Sequence, residues 1–290
     1  MTGRRARRVL LGTLGAVLVL VLWEGYKAMG RATDDQIGSF KLPAHTDDLS
    51  MPHTWTILSR FGDPELRGSS RTVGQVILEG MWFTFRVAMV GFVLGVVVGL
   101  LLAILMQRFH LAERSLLPYV ILSQTVPLVA LAPLVVGWGG QLEVFGHQWE
   151  PWMSVTVISA YLAFFPVAVG ALRGLQSPSA ASVELMDSYA ASHWQALRTM
   201  RLPASVPYLT PALKLAAAAA VVGAIVAEIS TGTKGGIGRL IIEYSREATS
   251  DPAKVYTAVI GAAALGLVVA GLVSLFDLYA MRNRPAERPS

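Results

Sequence analysis

Six stretches of this chain are apolar for long enough to cross a hydrocarbon core, and that settles its solvent before any motif is read. They run from Val9 to Tyr26, Val87 to Met106, Leu116 to Trp138, Trp152 to Leu172, Tyr208 to Ile229 and Tyr256 to Phe276. A helix needs roughly 20 such residues to span a bilayer. Charged residues make up only 15% of the chain and the mean hydropathy is +0.53, against about 25% charged residues in soluble domains. Inside lipid every backbone N–H and C=O must be satisfied within its own segment, which leaves helices for runs of this length. The fold class that follows is an all-α integral membrane protein with six transmembrane helices. Pro127, Pro133 and Pro166 fall inside the third and fourth runs and predict kinks rather than breaks, because neighbouring groups can satisfy the freed carbonyls.

Arg4, Arg5, Arg7 and Arg8 precede the first run, and cytoplasmic flanks collect Lys and Arg. Residues 1–8 therefore read as a cytoplasmic N-terminus, 9–26 as the first span and 27–80 as an external loop with one short helix at His53 to Phe61. The other five spans lie within 74–276, and 277–290 form a cytoplasmic tail with Arg282, Arg284 and Arg288. Arg108, Arg114, Arg173, Arg198, Arg201 and Lys214 then fall on the inner side as well. The basic start also has the outline of a cleavable leader, but no A-x-A-like site follows Tyr26, and the flank Lys27 to Arg31 fits a retained anchor. The protein is expected to be a multi-pass protein of the cell membrane with both termini inside.

Several chemistries lack their residues. Zero cysteines exclude disulfides, thiolate metal sites and cysteine nucleophiles. His45, His53, His110, His147 and His193 are scattered, whereas a metal needs converging ligands, so no metal is expected. The pairs Asp34-Asp35 and Asp47-Asp48 read as solvated charge in a polar loop. No G-x-S-x-G nucleophile elbow is present. Gly232 to Gly238 contains Lys234 but not the spacing or the hydroxyl of a phosphate-cradling loop, so this chain does not hydrolyse ATP. The small positive excess is topological and does not indicate nucleic-acid binding.

Within the spans, Gly91, Gly95 and Gly99 recur every fourth residue, placing three hydrogens on one face where another backbone can approach. This makes the second span an interior packing helix, and Gly223, Gly261, Gly266 and Gly271 take the same reading. Glu228, near the end of the fifth span, either pairs with Arg86 at a gate or reaches interfacial water with it. Gln124, Thr125, Thr156, Ser159 and Tyr161 either line a solute path or bond neighbouring helices; the residues alone leave both open.

The segment 173–207 is longer than closing two helices requires. Met186, Ala190, Trp194, Leu197 and Met200 recur at spacings of three or four with polar residues between, the pattern of an amphipathic helical pair lying along the membrane face, ended by Leu202 and Pro203. A ridge of Met186 and Tyr189 flanked by Glu184 and Asp187 suits either a grip for a soluble partner or a rest on membrane lipid headgroups.

From Glu184 to Ala190 and on to Met200-Arg-Leu202-Pro203, the segment resembles the EAA loop of ABC importer permeases, whose pattern is Glu-Ala-Ala, three residues, Gly, nine residues, Ile, one residue, Leu-Pro. Glu184 and Leu202-Pro203 match, while Leu185 and Met186 replace the alanines, Ala190 the glycine and Met200 the isoleucine. Ser123 to Pro133, Ala190 to Gln195, Leu202 to Tyr208, Val222 to Glu228 and Gly235 to Gly238 are similar to the nitrate, sulfonate and taurine permease group. Met51 to Trp55 and the Leu-Met-x-Ser variant resemble its thiamine-precursor and riboflavin branch. The resemblance implies a type I ABC importer permease fold and a homodimeric pore. It also implies a separate ABC ATPase subunit that carries ATP and magnesium and docks on 184–203, and an extracytoplasmic solute-binding protein. The competing class, a stand-alone transporter driven by an ion gradient, usually places ionisable residues at mid-membrane, and here the span centres are nearly devoid of them.

Overall fold

A computed structural model describes residues 2–33, 35–37, 40–42, 45–144 and 146–280; Asp34 and residues 281–290, with the three tail arginines, lie outside them. α1 (Thr2–Thr33) contains the first apolar run and extends beyond both of its ends. A short hairpin, β1 (Gln36–Ile37) against β2 (Phe40–Lys41), leads to α2 (Thr54–Arg60), within the stretch where the short helix is expected. α3 (Val73–Arg108) has 36 residues, about 54 Å of helix for a hydrocarbon core of about 30 Å. Its first turns take up residues 73–80, and α1 takes up 27–33, so the segment read as a loop is shorter than 27–80.

Among the described residues five helices are long and apolar enough to cross a membrane, and a bent pair supplies a sixth crossing if it is counted as one. The pair consists of α4 (His110–Leu122), prolonged by a 3₁₀ turn at Ser123–Thr125, and α5 (Leu128–Gly139), with a bend of 102°. The kink expected at Pro127 is therefore a break. Proline forces the residue before it out of the helical region, and Val126 is extended at φ −71°, ψ 124°. Pro133 and Pro166 sit inside uninterrupted helices, the second in α6 (Pro151–Leu175), which follows a hairpin of β3 (Glu143–Val144) and β4 (His147–Gln148).

After α6 come α7 (Ala180–Ser188), α8 (His193–Ala196), a π-turn at Leu197–Arg201, α9 (Leu202–Thr231), α10 (Ile237–Arg246) and α11 (Pro252–Ala280). Leu202 and Pro203 do not end the amphipathic segment as expected, because helix runs on from His193 to Thr231. The wide turn carries the chain into α9, with Pro203 in the first turn after it.

The described residues form two compact units. One comprises those of Met1–Leu78 with Ile241–Ile260. Here Lys27 of α1 is fully buried and donates to Asp48 Oδ1 at 2.6 Å and to the Met51 carbonyl, while Arg31 grips both Asp48 oxygens at 2.8 and 2.7 Å. The Lys27 ammonium holds the Asp48 carboxyl below the usual carboxylate range, with Arg31 and His53 adding to the effect. Asp48 is thus an ion-pair member rather than free solvated charge. Glu24 Oε1 accepts from the Thr54 N–H at 2.7 Å and its hydroxyl at 2.8 Å, supplying from another helix the N-cap that His53 does not give to α2. Arg60 Nε to Asp251 at 2.7 Å and Tyr256 OH to the Ser50 carbonyl at 2.8 Å pin the loop to residues 251–256.

The other unit comprises Glu79–Leu240 with Gly261–Ser290, and α6 is its centre: 13 of its 25 residues are buried. A Cβ placed on Gly91, Gly95 or Gly99 of α3 would lie 2.4 Å from Ser159 Cβ, 2.7 Å from Ala163 Cβ or 2.7 Å from the Phe164 carbonyl oxygen. On the α9 side, a Cβ on Gly170 would meet Ala212 Cβ at 2.4 Å, and one on Gly174 would meet Ser205 Cβ at 2.7 Å. α3 itself is not the interior helix: only its glycine face is covered, while Val90, Val93, Leu94, Val97, Val98 and Leu101 are exposed. Gly223 also approaches α6, but Gly266 and Gly271 have nothing within 4 Å of an added Cβ, so they do not share the packing role.

Overpacking a tight contact costs about 1–3 kcal/mol, and an open helical glycine replaced by alanine gains up to about 1 kcal/mol. Gly95→Ala should therefore lower the melting temperature of the detergent-solubilised protein, and Gly266→Ala should leave it equal or higher. Equal shifts for both would refute the seam.

Candidate coupling helix and solute path

The segment joining α6 to α9 is built from local caps. Ser179 Oγ accepts from the Ser182 N–H at 3.3 Å and starts α7. At its far end the Ala191 N–H bonds the Met186 carbonyl at 3.1 Å and the Ala190 N–H bonds the Asp187 carbonyl at 2.9 Å, the paired bonds of a Schellman turn. That turn needs a left-handed residue, and Ala190 provides it at φ +49°. Ser192 and Gln195 then form a reciprocal capping box, at 3.3 and 2.7 Å, that starts α8. The Ser-x-x-Gln spacing was available in the sequence and would have located this start.

These caps produce a short helix with one face outward. Glu184 and Asp187 are exposed, Tyr189 is 76% exposed and Leu185 55%, whereas Met186 is half-buried. The outward ridge is Leu185 and Tyr189, not Met186 and Tyr189: positions three and four before Tyr189 both share its face, and of the two it is Leu185 that is exposed. Beyond the turn, Leu197 is 1% exposed and packs in a cluster with Ala103 and Met106 of α3 and Ala171, Leu172 and Leu175 of α6, against which half-buried Leu202 also lies. Arg201 Nη1 donates to the Leu175 carbonyl at 2.9 Å. The fold thus brings Glu184, Asp187 and Tyr189 together on the open side, with Ala190 at the turn. Leu202 belongs to the mount, beside exposed Pro203.

The candidate path residues separate into three places. Gln124 and Thr125 are exposed in the break between α4 and α5. Pro127 has no N–H to offer the Ser123 carbonyl, which accepts from the Val126 N–H at 3.4 Å and from the Tyr161 hydroxyl of α6. Thr156 and Ser159 are 4% and 0% exposed in the seam beneath Gly91 rather than on an open surface; Ser159 Oγ has no hydrogen-bond partner. Glu228 is fully buried, so neither reading of it with Arg86 holds. Thr84 Oγ1 donates to its Oε1 at 2.9 Å and the Gly238 N–H to its Oε2 at 2.9 Å, while the Ile237 N–H donates to Thr84 Oγ1 at 2.9 Å. Glu228 therefore ties the start of α10 to α3. Gly236 is what admits it, since a Cβ there would lie 2.1 Å from the Glu228 carboxyl carbon. Arg86 lies over the Trp82 ring at 5.8 Å and, with Phe83, Val87, Val90 and Trp152, lines a cavity of about 220 Å³.

A left-handed alanine costs about 1–2 kcal/mol, partly offset by the larger unfolded-state entropy of glycine, about 0.5–1 kcal/mol. Ala190→Gly should stabilise the protein by up to about 1 kcal/mol in thermal unfolding, and Ala190→Val should destabilise it; a loss of stability on Ala190→Gly would contradict the turn.

The comparisons with known proteins agree with this architecture. Residues 95–280 match the family model described as the binding-protein-dependent transport system inner membrane component. The formylaminopyrimidine transport permease protein ThiX of Halalkalibacterium halodurans is 32% identical over 195 residues, 63% of this chain and 73% of that protein. The putative aliphatic sulfonates transport permease protein SsuC of Bacillus subtilis is 28% identical over 212 residues, 71% of this chain and 72% of that one. The crystal structure of an amino acid ABC transporter with histidines superposes with a TM-score of 0.55 at 20% identity, covering 69% of this chain and 92% of that one, a likeness of fold. The importer class thus displaces the gradient-driven transporter, and the chain belongs to the binding-protein-dependent transport system inner membrane component family, as the non-catalytic, multi-pass permease subunit of an ABC importer.

Proposed function

We propose that α7 is the helix gripped by the ATPase subunit, on the cytoplasmic side of the cell inner membrane with both chain termini, and that two copies of this chain enclose the path. ATP and magnesium are held by the partner, with no cofactor in this chain. Closure of the ATPase pair draws the two α7 helices together, and the movement reaches α3 and α6 through the Leu197 cluster. The path then alternates between an outward state, supplied by an extracytoplasmic solute-binding protein, and an inward one. The observation that carries this reading is the outward ridge of Leu185 and Tyr189 with Glu184 and Asp187 beside it, mounted on buried packing. Gln124, Thr125 and Tyr161 are the path candidates favoured by placement, and Thr156, Ser159 and Glu228 act through packing and bonding.

We further propose that the solute is a small heteroaromatic of the thiamine-precursor pyrimidine or riboflavin kind. The support is the greater identity to the formylaminopyrimidine permease than to the sulfonate one.

Truncating an aromatic anchor in a docked interface costs about 2 kcal/mol or more, roughly 30-fold in affinity. Tyr189→Ala should weaken ATPase copurification by that order, and Glu184→Lys should abolish it, both with membrane insertion unchanged; retained assembly and uptake would overturn the docking role. The ligand that copurifies with the cognate binding protein tests the second proposal, with a pyrimidine or flavin expected and a sulfonate or nitrate contradicting it.

A further inference from the structure

The break in the α4–α5 pair carries more than a change of direction. Pro127 is the midpoint of the apolar run Leu116 to Trp138, so the non-helical backbone lies where a crossing segment is deepest in hydrocarbon. Among the described residues, no donor reaches the carbonyl oxygens of Gln124, Thr125 and Val126, and no acceptor reaches the N–H groups of Leu128 and Val129. Gln124 and Thr125 are exposed, and so is Val126. Irregular backbone at that depth is tolerated only where protein buries it or water reaches it. The side chains at the break divide the same way. Ser123 Oγ bonds back to the Val120 carbonyl at 2.7 Å and Thr125 Oγ1 to the Leu122 carbonyl at 2.8 Å. The Gln124 carboxamide has only a 3.5 Å contact from Nε2 to Ser123 Oγ, leaving its oxygen and one N–H for something outside the chain. No charged side chain bonds any of these groups among the described residues. Tyr161 keeps the break in place by donating to the Ser123 carbonyl.

We infer that Ser123–Pro127 is a water-facing stretch of the solute path and that Gln124 is a solute-contacting residue there, meeting a neutral polar solute through hydrogen bonds with the free carbonyls beside it. This deepens the importer reading and rests on it. Uncharged acceptors and donors exchange with the hydration shell of a neutral solute without trapping it, whereas a sulfonate or nitrate would face three carbonyl dipoles.

The absence of cysteine makes thiol mapping direct. Gln124→Cys, Thr125→Cys and, on the exposed face of α11, Leu267→Cys (Leu267 is 75% exposed) would each be reconstituted with the ATPase subunit in liposomes. Each would be treated with anionic and cationic methanethiosulfonates, nucleotide-free and vanadate-trapped. Charged reagents stay out of hydrocarbon, so positions 124 and 125 should label at least about tenfold faster than 267 in one of the two states. Charged clefts change encounter rates by tenfold or more, so with an uncharged lining the two reagents should label position 124 within about threefold of each other. Reaction of both break positions with N-phenylmaleimide but with neither charged reagent in either state would place the break in lipid. Silence to every reagent would place it under the second copy. Either result overturns the path assignment, and a tenfold preference for one charge overturns the neutral lining. ATPase activity of the same liposomes reports the importer reading separately: an active complex with a silent break sinks only this inference.

Discussion

Lipid tails are as apolar as leucine side chains, so bringing two helices together in a membrane gains little from burying more leucine; close van der Waals contact must supply the attraction. In this protein that contact is concentrated on α6. α3 approaches it through Gly91, Gly95 and Gly99, and α9 lies against Gly170 and Gly174. Because each glycine faces a backbone oxygen or a Cβ at less than the distance a side chain would need, the three axes are held at a separation that larger residues could not reach. Tyr161, which completes the break in the neighbouring pair, and Leu172 and Leu175, which seat the segment before α9, both belong to this same helix.

Rigidity and exposure are therefore separated along the chain. Leu197, Arg201 and Leu202 fasten the start of α9 to the ends of α3 and α6, by apolar packing and by a charge-assisted bond to the Leu175 carbonyl. The helix before it is closed at each end by its own caps, rests on half-buried Val183 and Met186, and presents Glu184, Leu185, Asp187 and Tyr189 outward. In the other unit a comparable economy is seen in Glu24, which caps α2 from α1 while Lys27 and Arg31 fix Asp48.

What could be read in advance was what is local or periodic. The runs of apolar residues marked the crossings, the four-residue glycine repeat marked the face α3 turns to its neighbour, and the spacing from Glu184 to Pro203 marked a helical segment between α6 and α9. What escaped depends on residues far apart in the chain. Pro127 looked like Pro133 and Pro166, and the difference shows only in the fold: a tyrosine 38 residues beyond Ser123 adds its hydroxyl to the Ser123 carbonyl already bonded by the Val126 N–H, and so braces the break from another helix. Glu228 was set beside Arg86, yet its partner is Thr84, two residues away and on another face of α3. The ridge around Met186 was read one position out of place because Leu185 and Met186 both lie about one helical turn before Tyr189, and only their burial in the fold tells them apart.

The π-turn at Leu197–Arg201 holds one residue more than an α-helical turn would. Because its hydrogen bonds skip five residues instead of four, that wider turn takes in the surplus residue within one revolution. Trp194 and α8 therefore keep their azimuth relative to the buried stripe of α9, and a one-residue insertion is absorbed where it stands without breaking the axis.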